Sequence, residues 1–139
     1  MIIKQISVFI ENKSGRLAEV TGIIAESGVN MRSIVLAEQV NSGKLRIIAD
    51  DPVKAGQVLK KNGMRYELNE VIAVLVDDKA GGLAGMLEAL AGGGVGIRYM
   101  YGFAGKHEKA CMVLRIGEEF RDKAVQILRG AGYEGLETE

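Results

Sequence analysis

An internal duplication is the feature of this sequence that most constrains its fold. Residues 6–36 align without gaps to residues 72–102, with Ile6 falling on Ile72 at an offset of 66 positions. The identical pairs are Ile6 and Ile72, Val8 and Val74, Lys13 and Lys79, Gly15 and Gly81, Leu17 and Leu83, Ala18 and Ala84, Ala25 and Ala91, Gly28 and Gly94, Val29 and Val95, and Arg32 and Arg98. Self-similarity of this kind indicates a structural unit that occurs twice. We therefore predict two domains, residues 1–68 and 69–139.

Each copy shows the same predicted order of elements, βαββαβ. Apolar residues alternate with polar ones in the strand segments, and Leu17, Val20 and Ile24 recur at helical spacing. Ser14 is the predicted N-cap of the first helix because its hydroxyl can accept a hydrogen bond from an unpaired amide. Asn41-Ser42-Gly43 is a predicted turn. The predicted elements of the first copy are strands 2–10, 30–37, 44–49 and 64–68 and helices 15–27 and 50–62, with Pro52 at the start of the second helix.

The second copy repeats this order with a small difference in length. Its last helix aligns with the corresponding helix of the first copy at an offset of 69, as from Gln57 to Gln126, so it has gained residues. We place the insertion in the hairpin loop 103–109. Only Asn69-Glu70 separates the copies, which predicts side-by-side packing. The predicted elements are strands 71–76, 96–101, 110–116 and 133–136 and helices 82–91 and 119–130.

The element order predicts an α+β fold class. A βαββαβ unit closes most simply as an antiparallel four-stranded sheet with both helices on one face, the ferredoxin-like arrangement. We therefore expect two tandem units of this kind, with antiparallel sheets packed side by side. The strand 71–76 is apolar on both faces, although helices can cover only one of them. A second sheet on the other face would bury it, which suggests a homodimer.

Composition argues against several classes of partner. Lys+Arg and Asp+Glu are both 18, so the net charge is zero and no broad positive field attracts a nucleic acid. No apolar run approaches the ~20 residues that span a bilayer. Cys111 is the single cysteine, which excludes an internal disulfide and predicts a cytoplasmic protein with a buried strand thiol. His107 is the single histidine and has no second His or Cys nearby, so we predict no metal, cofactor or catalytic site.

The turn before the first helix is the candidate ligand site. A helix N-terminus presents unpaired amides and a positive dipole end, and it therefore binds carboxylates. Asn12 precedes this terminus and Asn30 begins the next strand, so their amides could hold an amino acid; alternatively, both asparagines simply serve turns. In the second copy Asp78 and Gly96 replace them, which predicts a lost or altered site.

The motif Ile-x-Val-x-Ile-Glu-Asn-Lys-Ser-Gly-Arg-Leu, followed by Gly-Val-Asn-Met, resembles the ACT domain family, whose usual turn is Asn-x-Pro-Gly-x-Leu. Ser14 and Ala80 replace the proline here, and the resemblance covers nearly the whole chain as two tandem ACT domains. It implies a regulatory module that binds an amino acid where paired ACT domains meet. Serine-binding members carry a histidine where this chain has Ile10, which favours a more apolar amino acid. The candidate ligand-binding residues are Asn12, Lys13, Ser14, Gly15, Arg16, Leu17, Asn30 and Met31, and those of a second or degenerate site are Asp78, Lys79, Ala80, Gly81, Leu83 and Gly96.

The resemblance implies a regulator rather than an enzyme. We expect a stand-alone protein that senses an amino acid at the interface between its two ACT repeats and modulates a separate metabolic enzyme or regulator. The alternative is a ligand-free scaffold or regulatory subunit that acts only through protein–protein association.

Overall fold

A computed structural model describes residues 1–11, 13–38 and 42–136, and it confirms the predicted α+β class. Contacts divide the described residues into a first unit, Lys4–Asn69, and a second unit that combines Met1–Ile3 with residues 70–136. The elements in chain order are β1 (Ile2–Glu11), α1 (Arg16–Glu26), β2 (Met31–Glu38), β3 (Ser42–Ala49), α2 (Pro52–Lys61), β4 (Tyr66–Asp77), α3 (Gly82–Gly92), β5 (Tyr99–Ala104), β6 (Lys109–Arg115) and α4 (Glu118–Gly130).

The first unit is an antiparallel sheet with its two helices on one face. Strand β3 lies between β2 and β1, with Ile47 opposite Ile6 in β1 and Ile34 in β2. Because side chains alternate along a strand, Ile6 and Val8 point to the same face. They pack there against the inner residues of both helices. The core cluster is Ile6, Val8, Val20, Ile24, Val29, Leu45, Ile47, Ala49, Ala55 and Leu59.

A buried polar cluster lies on the other face of β1. Gln5 and Ser7 are fully buried there although both are polar. The Ser7 hydroxyl donates to Asn69 Oδ1 at 2.6 Å, and Gln5 Nε2 donates to Ser7 Oγ at 3.2 Å and to Asn69 Oδ1 at 3.3 Å. Asn69 belongs to β4, so this cluster ties the beginning of β4 to β1. Buried polar groups are tolerated when they are paired in this way.

The predicted place of Pro52 at the start of α2 is confirmed by the geometry of the helix. Asp51 is the N-cap, and its side chain accepts a hydrogen bond from Lys54 N at 3.1 Å. Pro52 is the first residue of the helix, where its missing N–H has no partner to lose. At the other end Gly63 adopts φ 73°, a left-handed conformation that stops the helix.

The second unit repeats the architecture around its own core. Strand β6 lies between β4 and β5, with Leu114 opposite Ile72 and Met100. The strand predicted over 133–136 is reduced to one antiparallel bridge, from Gly135 to Val74. The beginning of β1 takes the neighbouring place, where Met1 O accepts from Ala73 N at 2.8 Å. The core cluster is Ile72, Val74, Val76, Met86, Leu90, Val95, Leu114, Ile116, Ala124 and Leu128.

Two other sequence expectations are corrected by the element bounds. The predicted break at Asn69-Glu70 is wrong, because β4 runs unbroken as a 12-residue strand that contributes to both units. The inserted residues do not sit mainly in the hairpin loop, because α4 has 13 residues where α2 has 10. Within the described part of the chain, no helix is both long enough and apolar enough to cross a bilayer.

Candidate functional site

The turn between β1 and α1 is built around a glycine. Gly15 has φ 86°, a left-handed conformation that costs a residue without Cβ little. Lys13 N donates to Glu11 O at 2.8 Å, and Arg16 N donates to Lys13 O at 3.2 Å, so the chain folds tightly into the helix. The predicted N-cap Ser14 is wrong, because Gly15 occupies that position and has no side chain to cap the first turn. Asn12 lies outside the described residues.

A groove opens beside this turn. It has a volume of about 390 Å³, within the range of small-molecule sites, and the first unit alone forms it. The turn and the start of α1 form one side, and the hairpin of β2 and β3 forms the other. Of the predicted residues, Lys13, Arg16 and Leu17 face the groove. The lining residues are Ile10, Glu11, Lys13, Arg16, Leu17, Leu36, Ala37, Ser42 and Gly43.

Charged groups gather at one end of the groove. Glu11 forms ion pairs with Lys13 at 2.8 Å and Arg16 at 3.8 Å, and Arg16 also contacts Glu19 at 2.9 Å. The hydrogen bond from Lys13, with the positive charges of Lys13 and Arg16, lowers the pKa of Glu11. All four side chains are substantially exposed, so these pairs contribute little to stability. The groove therefore offers an ionised carboxylate and two cations that can exchange partners.

Apolar side chains line the rest of the groove. Leu17 is 40% exposed and Leu36 is 51% exposed, so both present apolar surface at the groove. Ile10, near the end of β1, lines the same groove and is half-buried against the core of the first unit. An apolar wall beside paired charges suits a small molecule that has one polar and one apolar end.

Asn30 and Met31 lie away from this groove within the first unit. Asn30 follows the C-terminus of α1. Its backbone N–H donates to Asp50 Oδ1 at 3.1 Å, and its carbonyl oxygen accepts from Asp50 N at 3.1 Å. The 11-residue α1 separates it from the turn, a length of roughly 16 Å. Met31 packs against the core of the first unit. The structure therefore does not bring Asn30 and Met31 to the turn of the same unit.

The corresponding turn of the second unit has the same backbone but different surroundings. Gly81 has φ 86°, the same value as Gly15, and caps α3 in the same way. Asp78, Lys79 and Ala80 are exposed on this turn. Of the other residues predicted for a second site, Leu83 packs on the core of the second unit and Gly96 is exposed beyond the end of α3.

An ion pair crosses the place where the second groove would open. Lys109 Nζ lies 2.5 Å from Asp77 Oδ1. This hydrogen bond lowers the pKa of Asp77 and raises the pKa of Lys109. Asp77 lies opposite Lys109, as Glu11 lies opposite Ser42 in the first unit. Lys109 therefore takes the position of a groove-lining serine.

Sequence reasoning missed the hairpin side of the groove. Ser42 and Gly43 were predicted as a turn, but they belong to β3, where Gly43 lies opposite Ile10. Cys111 is fully buried in β6, which confirms the predicted strand thiol. His107 is exposed in the loop before β6, and the described residues contain no group of three or more His, Cys, Asp or Glu side chains suited to a metal.

Comparisons with known proteins agree with the duplicated fold. Protein BT0572 from Bacteroides thetaiotaomicron is 38% identical with a TM-score of 0.91, over 98% of this chain and 92% of that one. The regulatory subunits of aspartate kinase from Thermus thermophilus and Thermus flavus are both 19% identical, with TM-scores of 0.66 and 0.63. These alignments cover 95% and 94% of this chain, and 97% and 95% of those chains. No curated protein matches the sequence.

The family comparison reaches almost the full length of the chain. The family described as ACT domain pair matches residues 1–135. This range includes all ten helices and strands given above. The chain therefore belongs to the ACT domain family, as a pair of ACT domains.

Proposed function

We propose that this protein is an amino-acid sensor whose ligand binds in the groove of the first unit and alters association with a separate enzyme or regulator. The observation that carries the proposal is the placing of Glu11 and Arg16 beside an apolar wall at the turn before α1. No group in the groove suggests a reaction, and the ACT domain pair is a regulatory module. Binding rather than catalysis is therefore the role that this arrangement supports.

The groove chemistry matches the backbone groups of an amino acid. Lys13 and Arg16 can take the carboxylate, and Arg16 can do so with two N–H groups at once. Glu11, whose pKa is lowered, stays ionised and can accept from the ammonium group. These side chains now pair with one another at the surface, so a ligand would replace weak contacts with similar ones. The apolar wall would receive the ligand side chain.

Regulation through protein association is supported by comparison and by surface chemistry. The T. thermophilus protein, nearly the same length as this chain, is a regulatory subunit of aspartate kinase, although at 19% identity it shares only the fold. On the outer strand β2, Ile34 is 44% exposed and Leu36 is 51% exposed. We propose that this strand meets a second copy in a homodimer, because outer strands with apolar residues associate readily. A ligand beside it would shift that association by about 1–3 kcal/mol.

A thermal-shift screen against the twenty amino acids at millimolar concentration tests the sensor. A ligand at about 100 times its Kd adds about 2.7 kcal/mol, which means a shift of several degrees. Arg16→Gln should weaken binding about tenfold, since it removes a charged hydrogen-bond donor. Arg129→Gln is the matched control, because Arg129 is also an exposed helical arginine but lies in the last turn of α4. Equal ligand shifts in both variants would place the ligand elsewhere.

Two other results decide between forms of the proposal. Asn30→Ala leaves binding intact if the first unit alone forms the site, and weakens it if a second copy of the chain completes the site. The absence of any shift in the native protein would contradict amino-acid sensing. It would favour the ligand-free scaffold, for which the exposed Ile34 and Leu36 would be the interaction surface.

A further inference from the structure

The carboxylate of Glu11 is already paired with the cations that would bind the carboxylate of a ligand. Glu11 Oε2 lies 2.8 Å from Lys13 Nζ, and Glu11 Oε1 lies 3.8 Å from Arg16 Nη2. All three residues line the groove of the first unit. A ligand carboxylate that enters this groove therefore competes with Glu11 for the two cations.

The cost of displacing Glu11 depends on what else the ligand carries. The hydrogen bond from Lys13, with the positive charges of Lys13 and Arg16, lowers the pKa of Glu11, so this carboxylate is ionised at neutral pH. A ligand whose only charge is a carboxylate would leave Glu11 beside a second negative charge, and like charges at contact distance repel each other. A ligand that also carries an ammonium group would give Glu11 a new partner in exchange for the cations.

The charges of the whole cluster lead to the same conclusion. Glu19 Oε2 lies 2.9 Å from Arg16 Nη1, on the side of the guanidinium away from Glu11. The two glutamates and the two cations together carry no net charge. A zwitterion keeps the cluster neutral, whereas a ligand with only a carboxylate adds a negative charge to it.

The turn of the second unit has no arginine at the corresponding position. The duplication aligns Gly82 with Arg16 and Asp77 with Glu11. A Cβ built on Gly82 would collide with the carbonyl oxygen of Asp77, so this turn has no room for an arginine there. Arginine can hold a carboxylate with two N–H groups at once. A carboxylate paired with such a donor is therefore particular to the turn of the first unit.

We infer that Glu11 is a specificity-determining residue, which makes the groove select amino acids over carboxylic acids that have the same side chain but no ammonium group. This inference rests on the proposed function. The rejected class includes the 2-oxo acids, in which a carbonyl group replaces the ammonium group at the α-carbon. A 2-oxo acid can contact Arg16 and the apolar wall as an amino acid does, so these groups alone do not separate the two classes. Glu11 separates them because it needs a positive partner.

Matched pairs of ligands test the inference. Each amino acid that binds in the thermal-shift screen is titrated calorimetrically beside the 2-oxo acid of the same side chain, for example valine beside 3-methyl-2-oxobutanoate. The native protein should bind the 2-oxo acid at least about tenfold more weakly, because a hydrogen bond between charged groups contributes about this much. Glu11→Gln should bind the amino acid about tenfold more weakly than the native protein does, and the 2-oxo acid more tightly. The preference for the amino acid should therefore disappear.

Glu19→Gln is the matched control, because Glu19 is an exposed carboxylate that also pairs with Arg16 but lies outside the groove lining. It should keep the native ratio of the two affinities. Equal binding of an amino acid and its 2-oxo acid by the native protein would overturn the inference and leave the sensor role standing. A native ratio in Glu11→Gln would do the same. If none of the twenty amino acids binds the native protein, the sensor role and the inference fail together.

Discussion

The buried cluster of Gln5, Ser7 and Asn69 carries a stability prediction that the structure allows to be worked out. In Asn69→Ala the Ser7 hydroxyl loses its acceptor at 2.6 Å, while Gln5 Nε2 keeps Ser7 Oγ at 3.2 Å. Ser7 is fully buried and cannot turn to water. One buried donor left unsatisfied costs about 1–3 kcal/mol. At about 4 °C per kcal/mol for a chain of this length, we expect a loss of roughly 4–12 °C in Tm.

A double-mutant cycle isolates the hydrogen bond from the loss of side-chain volume. Ser7→Ala leaves Asn69 Oδ1 with Gln5 Nε2 at 3.3 Å, so it should cost about 1 kcal/mol. The double variant removes donor and acceptor together, and it should be destabilised by at least about 0.5 kcal/mol less than the sum of the single variants. Free energies of unfolding are measured by urea denaturation.

The control replaces an asparagine whose environment is exposed. Asn62 donates to Val58 O at 2.8 Å at the end of α2, and Asn62→Ala should stay within about 0.5 kcal/mol of the native protein. Strict additivity of Asn69→Ala and Ser7→Ala would refute the reasoning. So would a loss for Asn69→Ala no larger than that of the control, because the cluster would then contribute nothing beyond a surface contact.

Three further predictions concern a turn and a helix cap of the first unit and an ion pair of the second unit. Gly15→Ala should lower the free energy of unfolding by about 1–2 kcal/mol, because φ at Gly15 is 86°. Gly22→Ala, inside α1 where a Cβ meets nothing within 4 Å, should raise the free energy of unfolding by up to about 1 kcal/mol. Chemical denaturation measures both variants. Asp51→Ala should cost about 1 kcal/mol in the same assay, through loss of the cap. Because Lys109 lowers the pKa of Asp77, their contact stabilises the fold above the usual aspartate pKa and is lost as the pH falls through the lowered value. Lys109→Gln should therefore raise the pKa of Asp77, followed by NMR titration, towards its ordinary range.

Most of the fold could be predicted because its signals are local. Glycines at equivalent helix ends in the two copies, aligned by the duplication, have similar positive φ, with 81° at Gly28 and 72° at Gly94. Helical spacing identified Val20 and Ile24, both fully buried. Such features depend on a few neighbouring residues, so a single sequence reveals them, and the duplication repeats each one as an internal check.

Only the side of the groove whose residues are close together in the sequence could be predicted. Lys13, Arg16 and Leu17 belong to one turn, whereas Gly43 reaches them through its register with Ile10. That register is a long-range pairing, and a glycine after a serine looks like part of a turn when the partner strand is unknown. The unbroken β4 was missed for a similar reason, because Asn69 accepts hydrogen bonds from Gln5 and Ser7, which lie far from it in the sequence.

The two units show that duplication has preserved the backbone more closely than the chemistry. Gly15 and Gly81 hold turns with the same φ, and Lys13 recurs as Lys79. The second turn nevertheless faces Lys109, whose ion pair with Asp77 uses the carboxylate that a ligand ammonium would need. A sensor built in this way would bind one ligand per chain, in the first unit, while the second keeps its turn closed by its own side chains.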